Sequence, residues 1–163
     1  MKRLTSVFLL FCLCLSGCSM IGERVKEPVT FYYIRENYQK EMDQVILAEV
    51  REAAGHRDDL LYLLALYSMG PVKEEAIAPF PRNTRIIPVA RSEHSMEISL
   101  SDGVHTLSEA EFTLASACIA MTCMELTDVQ EVTVICSDRR ISISKDNLML
   151  HSDMYQNPQE ETK

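Results

Sequence analysis

The chain has 163 residues, 47% hydrophobic and 25% charged, with 24 acidic against 16 basic side chains and a formal charge of −8. That length suits one domain with a sizeable core. The acidic balance lacks the basic footprint that phosphate binding requires, so nucleic acid is not an expected partner.

Lys2 and Arg3 open the chain, and Leu4 to Leu15 is apolar apart from Thr5 and Ser6. This run is well short of the roughly 20 residues needed to span about 30 Å of hydrocarbon, and it has the layout of a signal peptide. Leu15, Ser16, Gly17 and Cys18 resemble the lipobox of bacterial lipoproteins, which is cut before the cysteine. The resemblance implies that residues 1–17 are a lipoprotein signal peptide and that a lipidated Cys18 becomes the N-terminus. It would hold the folded part at the extracytoplasmic face of the bacterial cell membrane. Each buried methylene contributes ~0.8 kcal/mol, so two or more acyl chains hold firmly where one holds marginally. Because Lys2 and Arg3 leave with the signal while all acidic residues stay, the formal charge moves from −8 to −10.

Residues 18–28 are a tether, charged and aperiodic over Ser19 to Glu27 and closed by Pro28. Val29 to Ile34 is β-branched and aromatic, which predicts a strand. Over the next segment Met42, Val45, Ile46 and Val50 fit helical spacing while Ile46, Ala48 and Val50 fit a period of two, and periodicity alone does not decide. Asp58 and Asp59 can cap a helix carrying Leu60, Leu61, Leu63, Leu64, Leu66 and Tyr67, and Gly70 with Pro71 supplies its stop. The loop PVKEEAIAPFPRNT follows, with Asn83 placed where a left-handed backbone is tolerated. Arg85 to Ala90 reads as a strand. Met96, Ile98 and Leu100 alternate with Ser95, Glu97, Ser99 and Ser101, predicting a half-buried strand.

Ser108 and Glu111 form a capping-box pattern before Phe112 to Leu126, a run dense in Ala, Cys, Ser and Thr whose polar residues do not gather on one face. A helix apolar nearly all round is a buried one. Val132 to Cys136 and Ile141 to Ser144 make a final strand pair about a turn at Asp138, Arg139 and Arg140. The tail from 151 to 163 has little to bury and is expected to fray.

Candidate chemistry is sparse. Of six cysteines, Cys12 and Cys14 leave with the signal and Cys18 carries lipid, which leaves Cys118, Cys123 and Cys136. Five positions on a helix separate the first two by about 8 Å, beyond comfortable disulfide reach; a structural link from Cys136 to either stays open. His56, His94, His105 and His151 form no metal-ligand pattern. The sequence has no Gly-x-Ser-x-Gly elbow, no Ser-x-x-Lys on a helix and no phosphate loop. No catalytic residue, cofactor or metal ion is expected.

The ordered landmarks resemble the GerMN domain of sporulation and spore germination. They are a strand, a segment ending in Arg51 and Glu52, a helix ending in Met69, Gly70 and Pro71, and the Pro-Phe-Pro-x-Asn-Thr loop. A strand ending in Leu100 and Ser101 follows, then a helix opening Phe112, Thr113, Leu114, Ala115 and a closing Val-x-x-Val-x-Val strand. The resemblance covers residues 29–150 and implies an α+β domain, order β-β-α-β-β-α-β-β, with two helices on one face of a mixed sheet. It assigns Val45 to Glu52 to a strand. Asn83 stands where the family usually has Gly, and Cys136, Ser137 and Asp138 occupy a turn that often carries Gly.

Three functions follow as expectations. The first is a membrane-tethered, non-catalytic module that binds an envelope protein or itself through its sheet edge, its exposed sheet face or the 72–83 loop. The second is a small-ligand or peptidoglycan-binding lipoprotein with a pocket lined by Tyr32, Tyr33, Tyr62, Tyr67 and Phe80. The third, a hydrolase, would need Cys118, Cys123 or Cys136 exposed beside a histidine, and apolar surroundings disfavour a thiolate.

Overall fold

The structure, a computed structural model, describes residues 26–37 and 44–148. The signal peptide, Cys18, most of the tether, His151 and the tail lie outside the described residues.

Among the described residues seven strands and two α-helices of more than one turn appear in the order β1 (Pro28–Arg35), β2 (Ile46–Glu52), α1 (Leu60–Ser68), β3 (Ala76–Ile77), β4 (Ile86–Arg91), β5 (Ser95–Leu100), α2 (Glu109–Thr127), β6 (Glu131–Cys136) and β7 (Arg139–Ser144). The α+β class and the expected chain order hold. Residues 46–52, ambiguous by periodicity, form a strand, as the resemblance implied. Two short elements were not expected: β3, within the 72–83 loop, and a 3-10 turn at Asp102–Thr106. The last turn also shifts, because Ser137 adopts φ +53° and Cys136 pairs with Arg139, so Arg139 and Arg140 already belong to β7.

The strands divide into two sheets, β2-β1-β3 and β4-β5-β6-β7. The first is antiparallel throughout; in the second β5 and β6 are parallel and α2 is the connection between them. The helices therefore serve different partners. Helix α2 packs chiefly on β1 and β6, and α1 lies against β4. Ala115, Ser116, Cys118, Ala120, Thr122 and Cys123 are all buried on α2, and such small side chains let β1 approach closely. Tyr32 N–H donates to Thr122 Oγ1 at 3.0 Å, so the helix satisfies a strand amide that no neighbouring strand reaches.

Local chemistry sets the helix ends. Asp59 Oδ1 accepts from Tyr62 N–H at 3.1 Å. Ser108 and Glu111 close a complete capping box, with Glu111 N–H donating to Ser108 Oγ and Ser108 N–H to Glu111 Oε2. Gly70 ends α1 at φ +90° and Asn83 turns its loop at φ +70°, backbone conformations that Gly and Asn adopt at low cost. One core joins both sheets, with Phe31, Tyr33, Leu63, Leu64, Tyr67, Met96, Ile98, Ile119, Val132 and Val134 at its centre.

Candidate functional site

Strand β2 reads ILAEVRE, and its alternation places Leu47, Glu49 and Arg51 on one face. That face carries an ion pair beneath the end of α1. Arg51 Nε donates to Glu49 Oε1 at 2.6 Å, its Nη1 to Leu66 O at 3.2 Å, and its Nη2 to Gly70 O. Glu49, only 3% exposed, accepts through Oε2 from Val72 N–H at 2.9 Å and Lys73 N–H at 2.8 Å. The guanidinium lies 5.5 Å from the Phe31 ring centre and 5.8 Å from that of Tyr33. Tyr33 stacks on Tyr67 at 4.9 Å, and each hydroxyl reaches a backbone carbonyl: Tyr33 to Tyr67 O, Tyr67 to Tyr32 O.

Burial opposes charge on Glu49, but the Lys73 amide, the Arg51 side chain and the Val72 amide outweigh it and hold the carboxyl below the usual glutamate value. Burial raises the hydroxyl pKa of both Tyr33 and Tyr67. Both oxygens of Glu49 are occupied, and each of the three Arg51 guanidinium nitrogens donates to a carbonyl or to the carboxylate. This arrangement fastens the 69–73 segment to the sheet. Sequence reasoning named Arg51 only as a landmark and missed Glu49, although an acid flanked by Leu47 and Arg51 on a strand's core face was the available signal.

The aromatic side chains proposed as a pocket lining do not converge on one. Tyr33 and Tyr67 are core; Tyr67 and Phe80 line a cavity of about 20 Å³, room for about one water. Tyr62 stacks on His56 at 4.1 Å, and Tyr32 is half-buried, its hydroxyl pKa raised by burial and then by Glu125. Cys118, Cys123 and Cys136 are free and buried, so the open Cys136 link is not made. Burial pushes the Cys118 and Cys123 thiols up to about 12. Among the described residues no group of three or more His, Cys, Asp and Glu could hold a metal ion, and no helix is long and apolar enough to cross a membrane.

Two further concavities are open and polar. One of about 320 Å³ is lined by Arg57, Asp58, Leu60, Leu63, Arg91 and Leu126–Asp128; a second of about 200 Å³ lies beside Pro28–Thr30, Glu125 and the same Arg57 and Asp58. Arg91 Nη2 is already bonded to Thr127 O at 3.1 Å. Among the described residues Val50, Leu61, Met69, Val72, Ile87 and Val89 are large hydrophobic residues at least half exposed.

No family model matches the sequence, and no curated protein matches it. Among solved structures, the tandem GerMN domains of the sporulation protein GerM from Bacillus subtilis align over 76% of this chain at 17% identity, with a TM-score of 0.50. The fold is GerMN-like. The chain spans 43% of the length of that GerM chain. A candidate lipoprotein from Clostridium perfringens aligns over 74% of this chain and 89% of its own at 11% identity, with a TM-score of 0.45.

Proposed function

We propose that the chain is a membrane-anchored extracytoplasmic lipoprotein whose GerMN-like domain is a non-catalytic protein-interaction module. It serves sporulation, germination or assembly of the cell envelope. The observation that carries this reading is a GerMN-like fold in a chain whose Leu15–Cys18 stretch resembles a lipobox. The interior supports it: Glu49 and Arg51 are paired with each other, and the Cys118 and Cys123 thiols are held protonated by burial. The exposed apolar residues supply binding surface, and the partner is an envelope protein or a second copy.

Metabolic labelling with a radioactive fatty acid tests the anchor. Label and membrane sedimentation both disappear in Cys18→Ser; a variant that keeps its label would sink the reading. Crosslinking in intact membranes from residues on β2, the outer sheet face and the 72–83 loop tests the module. Absence of any protein adduct from all three would remove it. The ligand-binding alternative has less support, because the aromatic side chains it relies on lie in the core or apart from one another.

A further inference from the structure

The register decides which backbone groups of β2 face outward. Arg35 N–H donates to Val45 O at 2.9 Å and Ala53 N–H to Glu27 O at 3.1 Å. With Tyr33 opposite Leu47, Phe31 opposite Glu49 and Val29 opposite Arg51, the odd-numbered residues of β2 exchange bonds with β1. Ile46, Ala48, Val50 and Glu52 turn their N–H and C=O groups to the other side, where β2 ends its sheet. Among the described residues a single bond reaches that edge, from Lys73 Nζ to Ala48 O at 3.0 Å.

The outward side of β1 and the edge strand β4 are guarded. On β1 the outward groups of Tyr32 are taken by Thr122 and Tyr67, and Ile34 pairs with β3. Edge strand β4 carries Pro88 and a register shift before Ala90, two devices that block strand addition. Strand β2 has neither. Exposed apolar side chains also gather round it: Val50, 54% exposed, on the solvent face, with Met69 at 81% and Val72 at 77% on the other. The Glu49 and Arg51 bonds hold that 69–73 segment in place. A stiff edge with unpaired backbone and apolar flanks is complementary to another strand.

We propose that the occupant of this edge is β2 of a second copy, added antiparallel to give a continuous sheet in the order β3-β1-β2-β2-β1-β3. The proposal rests on the interaction-module reading and names its partner. With the two-fold axis through Ala48, Val50 meets Ile46, Glu52 meets Gln44, Glu49 meets Leu47 and Arg51 meets Val45. No like charges oppose each other, which matters in a chain of formal charge −8. The axis is perpendicular to the sheet, so both 69–73 segments stand on the same side and bring Met69 and Val72 towards the seam. Such a contact is isologous and closes at two copies. Lys73, a flexible exposed side chain, swings off Ala48 O.

The full chain in non-ionic detergent supplies the test. At a hydrogen-bonded antiparallel pair the Cα atoms are about 5.5 Å apart, within disulfide range, so Ala48→Cys crosslinks to a dimer on oxidation. Val50→Cys, offset along the seam, does not. Val50→Pro removes an outward N–H that takes no part in the β1 ladder. It stays folded and melts no lower than loss of the dimer linkage requires, while sedimentation shifts from dimer to monomer, the dissociation constant rising at least about tenfold. If Val50→Pro unfolds, the two cysteine variants decide. A monomeric Ala48→Cys protein, or a folded Val50→Pro protein that sediments as wild type, overturns the proposal. A photocrosslinker at position 50 that captures a different envelope protein also overturns it, yet leaves the interaction-module reading standing.

Discussion

Arg51 and Arg139 sit in different sheets and fasten different irregular segments, with the same set of contacts but unlike surroundings. Arg51 bonds Leu66 O and Gly70 O and lies over Phe31 and Tyr33. Arg139 donates from Nη1 to Leu107 O at 3.0 Å and from Nη2 to Val104 O at 2.6 Å, and its guanidinium lies 4.2 Å from the Phe112 ring centre. The difference is the counter-ion. Arg51 is paired with buried Glu49, whereas no ion pair of Arg139 occurs among the described residues. Removing a guanidinium that faces a buried carboxylate leaves that charge uncompensated, whereas removing one bound only to carbonyls leaves no charge behind. The same clamp is thus charge-coupled in one sheet and not in the other.

The sharpest way to break this comparison is Arg51→Ala. It strands the Glu49 carboxylate in the core and frees two carbonyls at the end of α1, so stability falls by about 3–5 kcal/mol. Arg139→Ala removes two bonds to carbonyls and a cation-aromatic contact but leaves no buried charge behind, so its loss is smaller, about 2 kcal/mol. Urea unfolding of the two variants beside wild type measures both. Equal losses would mean that Glu49 adds nothing to the clamp.

Acid sharpens the same contrast. The Glu49 carboxyl is lowered in the folded protein, so its contribution is fully present above the ordinary glutamate value of ~4.3 and is lost as pH falls through the lower folded value. Arg139→Ala keeps the wild-type loss of stability on acidification, while Glu49→Gln flattens it. Glu111 is also lowered, by its bonds to Ser108, but it is unchanged in both variants, so the difference in slope isolates Glu49. Parallel slopes from pH 5 downward in denaturant melts at fixed ionic strength would refute the assignment.

The sequence was informative where one residue type answers a local demand. Ser108 and Glu111 announced the start of α2, Gly70 the end of α1, and alternating Met96, Ile98 and Leu100 the buried face of β5. Strand β2 was legible only through resemblance, because ILAEVRE places an acid and a base on its core face and so spoils the alternation that would mark a half-buried strand. The division into two sheets was not legible at all. It depends on α2 lying beside β1 and supplying Thr122 to the Tyr32 amide, a contact 90 residues apart in the chain that no local pattern encodes. The turn at Ser137 was misplaced by one step because a left-handed serine carries no strong signature of its own.

Two buried hydroxyls on α2 extend the comparison of partnered and unpartnered polar groups to its smallest scale. Thr122 Oγ1 accepts from Tyr32 N–H and donates to Cys118 O at 2.9 Å. Ser116 Oγ is equally buried, and among the described residues no hydrogen-bond partner reaches it. Thr122→Val keeps the shape and strands the Tyr32 amide, so it destabilises by about 1–2 kcal/mol. Ser116→Ala removes a hydroxyl that gains nothing from its site and substitutes the best helix former, so it raises stability by up to about 1 kcal/mol. Paired thermal melts separate the two by sign. A Ser116→Ala protein that loses stability would reveal a bonded hydroxyl, and with it a different packing of α2 against the core.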